Sequence, residues 1–545
     1  MICRPSSAVH HLMIADRSNE WRWALAVAVL AVGLSTAPYI YASVTAPPDL
    51  HFSGLLANVG DGYSYLAKMA QGARGEWLFH LPFTPEPHEG ELLFTFYLAL
   101  GHMARIVGLP LILVFHLARI AAGLACLLVG YAFIAHFTDG VAQRRITFLL
   151  LAFSSGLGWL VVPTGGLSTD LRIPESVTFY SLIVNPHFPL ALALLLLVFL
   201  GVLAPPVGRF GGVRRATLLG VASFALVSVQ PFVFITLGAV LGPYLAWRWL
   251  RERRFPRLQA ARAALVLAAA TPVVLYDAWL LTTNPVMWAW TAQNLTPSPP
   301  PWDYLLGYGL ILALATLGAM RGLRQGDART HFLLIWAVVT ALLLYAPFAL
   351  QRRLSLGLHI PLAILAGQGV SGVVTPRLGR RWATVLVGAT TLTNALLLLT
   401  LFAGAARRDA QVYLGRDEWA ALGWLREHVP AEAIVLAGPE SGLFIPACAG
   451  QRVVYGHPFE TVNAAARRAQ VEAYFAGRLE AAAQVALLRQ EGVGWVWLGP
   501  RERTLGAPSL ACLSPAAAIG AVTLYQVDAR CLTGEVEQQT AGDRH

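Results

Sequence analysis

Apolar residues run in long unbroken stretches up to about residue 403 and only in short ones after it, and this change divides the chain. A run of about 18–20 apolar residues matches the hydrocarbon thickness of a bilayer. Continuous rather than alternating apolarity predicts helices and excludes a membrane β-barrel. Spanning helices are predicted at 22–44, 110–135, 146–163, 187–204, 216–229, 231–250, 262–281, 303–320, 331–350, 354–371 and 382–403, about 11 in all. Gln230-Pro231 must turn the hairpin between the fifth and sixth. The run 91–108 holds Glu91, His102 and Arg105, so it is placed as a helix lying in the outer interface.

After Gly404 the charges return. DEWAALGWLREHVP (417–430) reads as an amphipathic helix, with Asp417 near its start and Pro430 as its stop. AIVLA (433–437), RVVYG (452–456), VGWVWLG (493–499) and VTLYQV (522–527) read as buried strands, with helical stretches near 462–476 and 479–491 between them. That alternation predicts a small α/β domain of about 120 residues.

Composition agrees with the pattern. The 545 residues are 56% hydrophobic and 13% charged, with mean hydropathy +0.57; soluble chains carry about 25% charged residues. A soluble enzyme is excluded for most of the length, and the fold class is a polytopic α-helical membrane protein with a small C-terminal α/β domain. The net charge is +10, and Lys68 is the only lysine. Arginine clusters between apolar runs, so topology explains it better than nucleic acid does. With the N-terminus cytoplasmic, about 20 basic residues fall in cytoplasmic loops and about six outside. If 91–108 spanned the bilayer, that asymmetry would invert.

The expected organisation is a cytoplasmic tail 1–21, a transmembrane domain 22–403 with outer loops 45–109 and 164–186, an extracytoplasmic domain 404–534 and a disordered tail 535–545. The first apolar run reads as an anchor and lacks an A-x-A cleavage site. The five cysteines show neither CxxC nor zinc spacing; Cys126 is core, and Cys512 and Cys531 can pair if their side is oxidising.

Candidate chemistry gathers in the outer loops. NVGDGYSYLAKMAQG (58–72) places Asp61 at the start of a short amphipathic helix. Two readings are open, an N-cap and a carboxylate that acts as a general base or metal ligand. The second loop supplies Asp170, Arg172, Glu175 and His187, either solvated and interfacial groups or part of an oxygen-rich divalent-metal site. Arg352-Arg353, followed by His359, sits against the positive-inside bias, and an arginine pair at headgroup height suits a lipid phosphate. His116 and Arg119 share a face of the second helix, marking a cavity or bracing the bundle. GPESG (438–442) follows a strand and precedes a helix, so it reads as a structural turn or, with less support, an anion site. The loop 284–304, with Trp288 and Trp290, either covers a ligand or anchors at the interface.

Together these residues resemble the GT-C superfamily of membrane glycosyltransferases, in the branch of protein O-mannosyltransferases and aminoarabinose transferases. Gly60-Asp61-Gly62-Tyr63-Ser64-Tyr65 stands where that branch has Asp-Glu before an aromatic, and Gly62 replaces the second acid. LARIAAGLACLLVGYAFIAHF (117–137) resembles its second helix, with Arg119 at the arginine. The stretch WLREHVPAEAIVLAGPESG…RVVYGHPFET is similar to outer domains of uncharacterised bacterial members.

The resemblance implies a bacterial inner-membrane enzyme that moves a sugar from a polyprenyl-phosphate donor to a glycan, lipid or protein acceptor, with membrane lipids and no nucleic acid as other partners. It implies Asp61 and Glu175 (less so Asp170) as catalytic carboxylates approaching one another. It also implies Arg352, Arg353 and Arg119 on the donor phosphate, and a Mg or Mn ion held by Asp61, Glu175 and His187. Two other classes stay open, a lipid or solute transporter or flippase, and a non-catalytic scaffold that has lost the second acid.

Overall fold

A computed structural model describes residues 7–206 and 208–530. Cys3, Arg4, Cys531 and the tail 535–545 lie outside the described residues. Among the described residues, eight helical runs are long and apolar enough to cross a membrane: Asn19–Val44, Leu111–Phe137, Val141–Thr164, Gly211–Val229, Val233–Glu252, Arg257–Thr283, Pro301–Arg324 and Gln351–Arg407. Two shorter apolar helices, His187–Leu203 and Ala328–Leu343, stand at two of the other predicted positions. The last run, 57 residues long, takes in both predicted helices 354–371 and 382–403. Gly379 breaks it at φ 84°, a conformation that glycine adopts without steric cost. The helix from Arg209 ends at Val229 and the next starts at Val233, so Gln230-Pro231 turns the hairpin as expected.

The chain falls into two compact units. The first comprises the chain up to Pro38, His116–Tyr276 and Thr296–Ala403. Its core packs the fully buried Trp336 edge-on against Phe133 and Phe199. The helix Val141–Phe153 stops short of its predicted end. Asn394 donates to the carbonyls of Phe153 and Ser154 at 2.8 and 3.2 Å, and Thr390 O accepts from Ser155 N at 2.7 Å. Those bonds satisfy backbone groups that a helix end would leave bare.

The second unit joins Tyr39–Phe115 and Asp277–Leu295 to everything from Gly404 onward. The first loop thus packs with the C-terminal strands. A two-stranded antiparallel sheet pairs β1 (Leu50–Phe52) with β2 (Tyr413–Gly415). The larger sheet holds β3 (Ile434–Leu436), β4 (Arg452–Val453), β5 (Val493–Leu498), β6 (Leu513–Ile519) and β7 (Val522–Val527) in the order β4-β3-β5-β7-β6. β4, β3 and β5 run parallel, while β5, β7 and β6 are antiparallel.

Strand β4 lies at an edge, and the first loop covers it. Val453 N donates to Pro82 O at 3.1 Å, and the Arg452 guanidinium donates to Thr84 O and Glu86 O. Covering the edge removes a row of open backbone groups. The run 91–108 becomes the helix Thr95–Val107, with Tyr97, Leu98 and Leu100 buried while Met103, Ile106 and Val107 stay exposed. It crosses the helix Val59–Arg74 at two glycines. A Cβ on Gly72 would lie 2.1 Å from Leu98 O, and one on Gly101 would lie 2.0 Å from Met69 O. Only glycine permits that approach, and it fixes the helix that carries Asp61.

Candidate active site

Asp61 occupies the first turn of Val59–Arg74, but Asn58, at φ 52°, holds the N-cap position. Asn58 Nδ2 donates to Asp61 Oδ2 at 2.7 Å. The other oxygen, Oδ1, lies 3.4 Å from His457 Nε2, and the Asp61 side chain remains 44% exposed. Gly62, in place of a second acid, has a packing reason: a Cβ there would fall 2.4 Å from Cδ1 of the buried Leu55.

Two turns on, the only lysine is fully buried. Lys68 Nζ donates to Glu460 Oε1 at 2.9 Å and to Ser64 Oγ at 2.6 Å, and it lies 4.2 Å from the Phe94 ring centroid. Burial pushes the Glu460 carboxyl up, but the Lys68 ammonium and the Ser64 hydroxyl outweigh it and hold Glu460 below the usual carboxylate range. A buried lysine paired this way is structural rather than reactive.

Glu175, His187, Arg119, Arg352 and Arg353 belong to the first unit. Asp170 is fully buried there. It accepts from Ser155 Oγ, Gly156 N, Gly158 N and Ser168 Oγ at 3.0, 2.9, 3.3 and 2.5 Å. Burial still holds it above the usual carboxylate range. With four donors spent on it, Asp170 ties the loop together. Asp303 does the same, accepting from Thr169 and pairing with Arg172.

Glu175 sits in a short helical turn, Pro174–Ser176, which packs against the turn Gln351–Ser355 that carries the two arginines. Tyr304 lies within electrostatic reach of both Glu175 and Arg352. It also lines an apolar cavity of about 350 Å³ between the helices Pro301–Arg324, Ala328–Leu343 and His359–Gly369, with Tyr308, Tyr345 and Leu358 among its walls. Among the described residues neither Arg352 nor Arg353 forms an ion pair, and Arg352 Nε is buried without a hydrogen-bond partner. A buried donor left unpaired is costly and calls for a reason.

Other candidates take structural places. Arg119 donates to Leu182 O at 2.7 Å, Thr36 Oγ1 at 3.1 Å and His116 Nδ1 at 3.2 Å, bracing the first helix against its neighbours. His359 is held between Ser154 Oγ (3.1 Å) and Thr178 Oγ1 (2.9 Å). His187 is buried at the start of its helix, its ring against Phe188. The expected metal set of Asp61, Glu175 and His187 divides between the two units. Among the described residues no three His, Cys, Asp or Glu side chains gather to hold an ion.

GPESG is a structural turn. Gly438 N donates to Glu502 Oε1 at 2.9 Å, so the chain's own carboxylate stands where an anion would. The segment after Asn284 forms the helix Pro285–Gln293, with Trp290 against Phe94 and Trp288 exposed. Cys512 is disulfide-bonded.

His457, Glu460 and Asn58 had no place in the sequence reading. His457 lies 396 positions beyond Asp61, and only its neighbourhood in GHPFET, just after a strand, marked it.

No protein-family model matches the chain. One stretch is 28% identical over 112 residues to a UPF0060 membrane protein of Methylobacillus flagellatus, covering 17% of this chain and 93% of that protein. Another match, to a UPF0060 membrane protein of Acidovorax sp. (strain JS42), is 30% identical over 92 residues, covering 14% and 74%. Over that stretch the chain belongs to the UPF0060 membrane proteins, a family description that gives no activity.

Among solved structures, the fold is similar to the oligosaccharyltransferase of Archaeoglobus fulgidus tethered to an acceptor peptide containing the NVT sequon. Identity is 15%, the TM-score is 0.52, and the match covers 88% of this chain and 69% of that one. It is also similar to ArnT of Cupriavidus metallidurans bound to undecaprenyl phosphate, at 14% identity and TM-score 0.51, covering 92% and 98%. At such identities the likeness is one of fold, that of GT-C membrane glycosyltransferases.

Proposed function

We propose that the chain is a membrane glycosyltransferase that moves a sugar from a polyprenyl-phosphate donor to an acceptor hydroxyl on the extracytoplasmic face. The observation that carries this reading is Arg352, whose Nε is buried without a hydrogen-bond partner and whose neighbour Tyr304 lines an apolar cavity. An apolar chain in the cavity and a phosphate on the arginines would satisfy both groups together. Arg353, on the same turn, adds a second positive charge.

Fixed positive charge at the departing phosphate stabilises the charge that builds as the glycosidic bond breaks. Asp61 takes the proton of the acceptor hydroxyl, or aligns it, as a half-exposed carboxylate can. Glu175 holds its charge near the phosphate side and keeps the arginine turn in register. Arg119 takes no part in phosphate binding, because its guanidinium is spent inside the bundle.

Binding of undecaprenyl phosphate, with undecaprenol as the phosphate-free control, tests the reading on purified protein. Arg352→Gln should weaken phosphate-dependent binding by about ten- to hundredfold, the worth of one charge-assisted pair of about 1.5–3 kcal/mol. Arg352→Lys should recover part of that loss, since it keeps charge without the fork. Equal affinity for both lipids, or unchanged affinity in well-folded Arg352→Gln and Arg353→Gln, would remove the donor site.

A further inference from the structure

We propose that His457, supplied by the C-terminal strands, is the positioning residue of Asp61. The inference rests on the reading of Asp61 as the reacting carboxylate. It assigns a role to a region that the proposed chemistry otherwise leaves idle.

The imidazole has one orientation and one tautomer. Its Nδ1 accepts from the backbone N–H of Phe459 at 3.1 Å and of Glu460 at 3.2 Å. A nitrogen that accepts carries no hydrogen, so the ring hydrogen is on Nε2. Nε2 is the atom 3.4 Å from Asp61 Oδ1, near enough for a small rotation to close a hydrogen bond. The ring itself is only 3% exposed and packs beside Phe83.

The turn that presents this ring is held at both ends and in its middle. Thr461 Oγ1 accepts from the N–H groups of Gly456 and His457, and Thr461 N donates back to His457 O. Asn294 donates to Phe459 O at 3.0 Å, and Gln293 donates to Thr461 O at 2.5 Å. Glu460 is anchored to Lys68, two helical turns along from Asp61 on the same helix. One helix therefore offers both the carboxylate and the ammonium, and one turn answers both.

Asn58 meets Oδ2 and His457 faces Oδ1, so the plane of the carboxylate is set from two sides. An acid whose plane is fixed aims its remaining lone pairs in one direction. That is what a base acting on a bound hydroxyl requires.

The full-length protein offers a test that needs no substrate. A water-soluble carbodiimide couples an amine to protonated carboxyls, and peptide mass spectrometry reads the labelling of Asp61 against pH. Removing a donor from a carboxylate disfavours its charged form. In His457→Phe the Asp61 midpoint should therefore rise by about one pH unit, and labelling just above the wild-type midpoint should be several-fold faster.

Two half-replacements separate positioning from simple folding. His457→Gln keeps a donor where Nε2 was and should stay near wild type. His457→Asn keeps an acceptor where Nδ1 was, so the turn survives while the Asp61 profile follows His457→Phe. Wild-type profiles in all three variants, or Gln behaving like Phe, would overturn the inference. Transfer assays with Asp61→Asn keep the two ideas apart. Full transfer by Asp61→Asn would sink the catalytic reading and leave the positioning intact. Lost transfer beside unchanged labelling in the His457 variants would sink the positioning alone.

Discussion

Asp61 and Asp170 look alike in the chain, yet the folded protein treats them in opposite ways. Each lies in the first turn of a helix, within a loop between apolar runs, with small residues about it. Asp170 is fully buried and takes hydrogen bonds from two hydroxyls and two backbone N–H groups. Asp61 is half exposed, with one amide on one oxygen and one imidazole beside the other. A fully buried carboxylate held by four internal donors is out of a substrate's reach. One that stays half exposed can be reached by a substrate. Burial separates the two acids better than residue type does.

Exchanging each aspartate for asparagine breaks this comparison most directly. Asp61→Asn should lower sugar transfer by about 10²–10⁴-fold, the usual worth of a general base, with stability changed by no more than about 0.5 kcal/mol. Asp170→Asn should reverse the pattern. Its new amide points hydrogens at groups that already donate, at a cost of about 3 kcal/mol of stability. Thermal unfolding and transfer, measured on both variants, give the answer. A stable Asp170→Asn protein without transfer would mean that the roles have been assigned the wrong way round.

The same contrast holds among the cations. Lys68 is matched by Glu460, whereas Arg352 has no matching carboxylate among the described residues. Breaking one side of a buried pair leaves the other charge stranded, so Lys68→Met or Glu460→Leu alone should cost about 3–5 kcal/mol. The double variant should recover most of that loss, because neither charge then remains. Denaturant midpoints on the purified protein measure the cycle. Additive losses in the double variant would show that the two residues act separately.

Run length made the architecture legible, since span-length apolar stretches and strand-length ones differ without regard to tertiary detail. The break inside Gln351–Arg407 was legible only as two runs, and the glycine that makes it is one of many. Strand β6 was missed because LSPAAAI has one β-branched residue, carries a proline and holds three alanines. It stands at the sheet edge, where the irregular register beside Pro515 is tolerated. The three-residue strands β1 and β2 are too short to carry a pattern.

At the site, the sequence singles out Arg352 by its charge against the positive-inside bias and Asp61 by its place at a helix start. Their partners were not legible. Ser64 and Lys68 meet Glu460 across almost 400 residues, and Glu502 answers Gly438 across 64. No local spacing encodes such pairs.

Acid gives the smallest and most selective test of the comparison. Glu460 titrates below the usual carboxylate value, so its ionised form stabilises the fold above the unfolded value of about 4.3. That contribution is lost as pH falls through the lower, folded value. Asp170 has the opposite sign. Burial raises its value, so its ionised form costs stability near neutrality and the cost is relieved as pH falls through that raised value. Amide exchange should then show steady protection at Phe459, Glu460 and Thr461 on mild acidification, and loss only below about pH 4. Over the same interval the backbone at Gly156 and Gly158 should keep its protection, because protonating Asp170 relieves a cost rather than adding one. The Lys68→Met/Glu460→Leu double variant should lack the acid loss at residues 459–461 and leave Gly156 and Gly158 as in the wild type. An unchanged acid loss at residues 459–461 in the double variant would mean that the buried pair does not hold the turn that carries His457.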